Sequence, residues 1–128
     1  MSNSKDAAGY RSHFQDISGQ LIFAAATDDQ TLVTVRNAST TLYIQRIIVY
    51  VTTDAAQSMA FTDSASTPLK IAEVTASPGD ETRWDFDFGD RGIALTEGKN
   101  FLANVSAAGL AGNVQWYGYE RLTSPLTA

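Results

Sequence analysis

The chain contains no cysteine, which removes disulfides, thiolate nucleophiles and cysteine-ligated zinc or iron–sulfur centres from consideration. Histidine is nearly as scarce, with His13 the single example in 128 residues, so a site built from several imidazoles is excluded. No apolar run approaches the ~18 residues of a membrane-spanning helix; Ile47 to Val51 has five. Cations are the minority charge, nine Lys+Arg against fourteen Asp+Glu, for a net charge of −5. Bulk electrostatics therefore argue against a nucleic-acid partner, and no membrane partner is expected. The first nine residues are small and polar and lack the apolar stretch of a secretory signal, which points to synthesis in a cytoplasm.

What remains is the composition of one compact domain, 44% hydrophobic and 18% charged. Between Gly19 and Leu122 short β-rich runs alternate with Gly, Pro, Asp, Asn and Ser clusters, and no long segment of helical period intervenes. The runs predict eight strands, near 20–26, 31–37, 41–52, 57–62, 69–75, 82–88, 100–106 and 113–121. Turn signals at this spacing point to an all-β, antiparallel β-sandwich or barrel. The expected organisation is an N-terminal arm over 1–18, a β-sandwich domain over 19–122 and a C-terminal tail over 123–128. Tyr10, Phe14 and Ile17 give the arm either a short helical turn or an extended form that orders against a neighbouring subunit.

Alternation assigns faces in two strands. Trp84, Phe86 and Phe88 share one side, Arg83, Asp85 and Asp87 the other; Met59 and Phe61 oppose Ser58 and Thr62. Two other strands do not alternate. From Ile47 onward Tyr43–Val51 is apolar on both sides, and 114–119 sets Val114 and Trp116 against Tyr117 and Tyr119. A two-layer sandwich covers one side of each sheet, so the second apolar face needs another cover, either a loop or arm of the same chain or a neighbouring subunit. Tyr and Trp are favoured at interfaces, which makes Tyr10, Phe14, Tyr43, Tyr50, Trp116, Tyr117 and Tyr119 candidates for oligomer or partner contacts. Leu110 joins them at the tip of the apolar turn 106–112, unless that turn folds it onto the core.

Catalytic and metal patterns fail on inspection. Asp85, Asp87 and Asp90 suggest a calcium loop, but Gly89 stands at its fifth position, Asp90 at its sixth and Thr96 at its twelfth, where an EF-hand needs an oxygen ligand, Gly and Glu. A Ser–His–Asp arrangement would have to use Ser12, His13 and Asp16 in a polar arm, a poor place to hold three groups in register. The chain carries no nucleophile elbow, P-loop or dinucleotide fingerprint. No enzyme activity, cofactor or metal site is expected. Asn37 and Asn104 fit an N-glycosylation pattern by chance. A carbohydrate platform built from Trp116, Tyr117 and Tyr119 with nearby acids is the binding-module alternative.

The runs Ile71–Asp80, Trp84–Phe101 and Val105–Glu120, with Thr40–Thr53 upstream, resemble small virion proteins of tailed bacteriophages. The all-β members of that group include capsid decoration, or cement, proteins. The resemblance covers about residues 40–120 and rests on turns and strands. It implies a jelly-roll-like sandwich and a homotrimer that stabilises a capsid by binding the major capsid protein or other virion proteins. It also implies a virion location after synthesis in the host bacterial cytoplasm. A phage tail or fibre-associated module, or one that binds host glycans, is the alternative of the same flavour. The resemblance carries over no site residues.

Overall fold

The computed structural model describes residues 14–26, 30–51, 57–76, 83–105 and 110–124. They form nine strands: β1 (Phe14–Ala26), β2 (Gln30–Val33), β3 (Thr40–Val51), β4 (Gln57–Asp63), β5 (Lys70–Ala76), β6 (Arg83–Asp87), β7 (Ile93–Ala94), β8 (Phe101–Val105) and β9 (Leu110–Leu122). A long sheet has the order β1-β9-β3-β6, with the two-residue β7 also on β3; a short sheet has the order β2-β8-β4-β5. Every pairing is antiparallel. With β7 set aside, successive strands cross between the sheets except at the β4–β5 pair, and the eight follow the jelly-roll connectivity. The expected all-β sandwich with eight main strands is the observed fold.

The core fills the space between the sheets. β3 contributes Leu42, Ile44, Ile47, Val49 and Val51, β9 contributes Val114 and Trp116, and the short sheet answers with Met59, Phe61, Val74, Phe101 and Ala103, all nearly or fully buried. Phe101 meets the Trp116 indole edge-on at 6.4 Å and Phe61 at 6.1 Å. Each such side chain gains about 1.5–3 kcal/mol from leaving water.

A β-bulge switches the inward parity of β3. The register against β9 shifts between Ile44 and Arg46, leaving Gln45 as the extra residue. Leu42 and Ile44 thus face inward on even numbers, and Ile47, Val49 and Val51 on odd ones. Gly118 lies opposite the bulge, where a Cβ would stand 2.1 Å from the Tyr43 carbonyl oxygen; glycine is what lets the two backbones approach. The half-buried Trp84, Phe86 and Phe88 pack against the core while Arg83, Asp85 and Asp87 are exposed, as the alternation predicts.

Both chain ends differ from expectation within the described residues. β1 begins at Phe14, and residues 14–18, expected in the arm, pair with β9 from Arg121 to Tyr117. Gly19 sits beneath the Trp116 indole, where a Cβ would come within 2.4 Å of the ring. Neither Phe14 nor Ile17 lies in a helical turn. Thr123 and Ser124, expected in the tail, are tied down: both backbone N–H groups donate to the Ser39 carbonyl, and both hydroxyls donate to Glu97. Those bonds hold the Glu97 carboxyl below its usual range.

The connections 34–39, 64–69 and 88–100 lie at the same end as Thr123, where Asp63 acts as a clamp. Its fully buried carboxylate accepts N–H groups from Ala65 (3.1 Å), Leu69 (3.0 Å) and Thr96 (2.9 Å). Burial pushes this carboxyl up, but the bonds from Thr96, Leu69 and Ala65 together outweigh it and hold it below its ordinary value.

Candidate interaction face

The outward side chains of the long sheet form four rows across its strands. Asp16, Tyr119 and Tyr43 make the first, Ser18, Tyr117, Arg46 and Asp87 the second, Gln20, Gln115, Ile48 and Asp85 the third, and Ile22, Asn113, Tyr50 and Arg83 the fourth. Register alone places these residues together, since they come from four strands far apart in sequence.

Large side chains remain open to solvent here. Ile22 is 75% exposed, Tyr50 46% and Tyr117 43%, and Ile48 is half-buried. The other polar groups largely satisfy one another. Arg46 grips Asp85 through two parallel bonds, the Nε–Oδ1 distance being 2.9 Å, and Arg83 approaches the same carboxylate at 4.0 Å. The Arg46 hydrogen bond, followed by its charge, holds the Asp85 carboxyl below its usual range. Tyr43 and Tyr119 stack at 4.7 Å with planes 11° apart, and the Tyr119 hydroxyl donates to the Arg91 carbonyl at 2.7 Å. Burial, and then Tyr43, push the Tyr119 phenol up. With Arg121 beside Phe14, the face carries three carboxylates and three guanidinium groups, a neutral surface on a chain of net charge −5.

Four of the residues singled out from sequence, Tyr43, Tyr50, Tyr117 and Tyr119, share this face. Trp116 does not. It points the other way, is 5% exposed and belongs to the core, because the parity that sets it with Val114 is the inward one. It offers no ring to a partner and drops out of the carbohydrate platform. Phe14 opens β1 opposite Arg121, and Leu110 opens β9 opposite Ala26. Tyr10, His13 and the rest of the 106–109 turn lie outside the described residues. Sequence reasoning missed Ile22 and Ile48; the signal for Ile22 was present, because Leu21-Ile22-Phe23 puts large apolar groups on both sides of one strand.

Asp85, Asp87 and Asp90 do not converge on a cation site: Asp85 is engaged by Arg46 and Asp87 accepts the Gly89 N–H at 2.9 Å. Among the described residues no group of three or more His, Asp or Glu side chains is arranged to hold a metal ion.

No family model matches the chain, and no curated protein matches it in sequence. Solved structures match it in fold, viral capsid proteins among them. A chain of the acid-stable capsid of Helicobacter pylori bacteriophage KHP30 aligns over 87% of this chain and 94% of its own, at 13% identity and a TM-score of 0.56. A chain of the disulfide-linked pili that form Bacillus endospore appendages covers 88% of this chain and 90% of its own, at 10% identity and a TM-score of 0.45. A chain of the virus-like particle of extra small virus, from the giant freshwater prawn Macrobrachium rosenbergii, covers 84% and 79%, at 9% identity and a TM-score of 0.44. At these identities the likeness is one of fold.

Proposed function

We propose that this protein is a structural component of a virion that decorates a bacteriophage capsid and stabilises it by binding the major capsid subunits. The observation that carries the reading is the outer face of the long sheet, where Ile22, Ile48 and Tyr50 leave apolar and aromatic surface uncovered beside a neutral set of charges. Tyr and Arg are the residue types enriched where proteins meet, and a partner that covers Ile22 and Tyr50 gains the free energy their exposure withholds. The fold shared with the phage capsid chain supports the same reading.

In this reading the protein is not an enzyme and needs no cofactor. It is made in the host bacterial cytoplasm, assembles as a homotrimer and resides in the virion. Decoration works by mass action. A ligand that binds the assembled shell and not its free subunits stabilises the shell by RT ln(1 + [L]/Kd), about 2.7 kcal/mol per site at one hundred times Kd.

The test is co-sedimentation of purified protein with expanded capsids of its phage. Saturable binding, with a higher melting temperature of the decorated shell, is the expected result. Failure of the protein to sediment with those capsids at any concentration would overturn the reading.

A further inference from the structure

The half of the outer face built by β1 and β9 carries two shallow depressions of about 320 Å³ each, and Tyr117 lines both. Ser18, Gln20 and Gln115 border one; Asp16, Ser18 and Gln45 border the other. The cause lies in the second row. Tyr117 faces the short Ser18 on β1 and Arg46 on β3, and Arg46 is drawn away to Asp85. The ring therefore stands as a ridge, 43% exposed, with low ground on two sides.

We propose that this ridge and its flanking depressions form a saccharide site, and that its ligand is a neutral hexopyranose oligosaccharide. A pyranose has a C–H face and a rim of hydroxyls. The π face of Tyr117, electron-rich at its centre, suits the C–H groups. Around it stand three amide side chains that both donate and accept, one hydroxyl and one carboxylate able to accept from neighbouring hydroxyls. Each depression is at the small end of ligand sites, about 300–1,000 Å³, which suits one sugar ring apiece and a chain that continues across Tyr117. Charge sets the class. Asp16 is the charged residue lining the depressions and the chain is acidic overall, so anionic sugars are repelled. Ile22 lies four residues along β1 from Ser18, about 13 Å away at strand rise; Ile48, opposite Gln115, is where the saccharide site adjoins the apolar patch that carries the capsid reading, and the two are built from different residues.

The experiment is an amide-resolved NMR titration of the ¹⁵N-labelled full chain with malto-, cello- and chito-oligosaccharides, from mono- to tetrasaccharide, with a polygalacturonate oligomer as the anionic comparison. Saturable shifts confined to residues 16–20, 45 and 115–118 are expected with at least one neutral series, strengthening from mono- to trisaccharide. Tyr117→Ala should weaken binding by about tenfold or more, Tyr117→Trp should retain it, and Tyr50→Ser should leave it unchanged. Gln20→Ala with Gln115→Ala is the second variant, expected to weaken binding while the ridge stays intact. The proposal is overturned if no neutral series gives saturable shifts, if the shifts map elsewhere, if Tyr117→Ala binds as wild type does, or if the anionic oligomer binds as well as the neutral ones.

Discussion

The long and short sheets supply one core by the same device, alternate apolar side chains such as Ile47 and Val49 on one side and Met59 and Phe61 on the other, yet their outer faces share little chemistry. Outside, the short sheet presents Ser58, Ala60, Asn104, Glu73 and Thr75 with the half-buried Leu102, mostly small and polar, the Asn104 amide donating to the buried Thr62 hydroxyl at 2.7 Å and Lys70 standing beside Glu73 at 3.7 Å. The long sheet presents four tyrosines, Ile22, Ile48 and a ladder of guanidinium–carboxylate contacts. Burial constrains both inner faces and neither outer one. The short sheet demonstrates that a jelly roll of this size closes with mostly small and polar side chains outside. The exposed apolar surface around Ile22 and Tyr50 is therefore not required by the fold.

Substitutions can break or sharpen this contrast. The largest effect is expected from Trp116→Ala, which empties the volume between Gly19 and Phe101 and should cost about 3–5 kcal/mol in denaturant unfolding. An unchanged midpoint would return Trp116 to the surface. Asp63→Asn comes next. An amide nitrogen would then face at least one of the three backbone N–H groups that the carboxylate now accepts, for a cost of about 1–3 kcal/mol.

The same residue sets a pH dependence. Its carboxyl titrates below the ordinary value in the folded protein, so its contribution is complete above the unfolded pKa, near 3.9, and disappears as pH falls through the lower folded pKa. Wild type should lose its advantage over Asp63→Asn in thermal melts at acid pH; a difference independent of pH would contradict this assignment. Smaller still is Arg46→Gln, on an exposed pair, which should shift the melting temperature slightly at low salt and hardly at all at high salt. The weakest effect belongs to the short sheet: Thr75→Lys should alter neither stability nor partner binding, whereas Tyr50→Ser should spare stability and reduce binding.

Much of the fold was legible because each strand is a local pattern. The eight expected strands match observed ones, and Trp84, Phe86 and Phe88 declared their face by alternation alone. β7 escaped because Ile93-Ala94 is too short to show a period and is held as a strand only by its pairing with Tyr43 and Ile44. The bulge at Gln45 escaped because it changes which parity is inward, and that exists only against β9. The candidate face was half legible for the same reason. Residue type marked the tyrosines, but grouping Tyr50 with Ile22 needs the order β1-β9-β3, a non-local fact. Trp116 was misjudged where type and parity disagreed: an indole is common at interfaces, but its shared parity with Val114 places it inside. Asp63 had a visible signal, an Asp opening the turn Asp63-Ser-Ala-Ser-Thr-Pro, although its third partner, Thr96, was not visible.

The central claim is that the outer face of the long sheet is a protein contact surface, on which a neighbouring copy covers Ile22 and Tyr50 and the capsid subunits meet what the assembled trimer leaves open. Light scattering coupled to size exclusion, on wild type and on the Ile22→Ser/Tyr50→Ser double variant, tests it most directly. With a subunit of 13.8 kDa the states separate cleanly. The expected result is a trimeric mass for wild type and 13.8 kDa for a folded double variant. A monomeric wild type, or a double variant that keeps the wild-type oligomer, would contradict the claim.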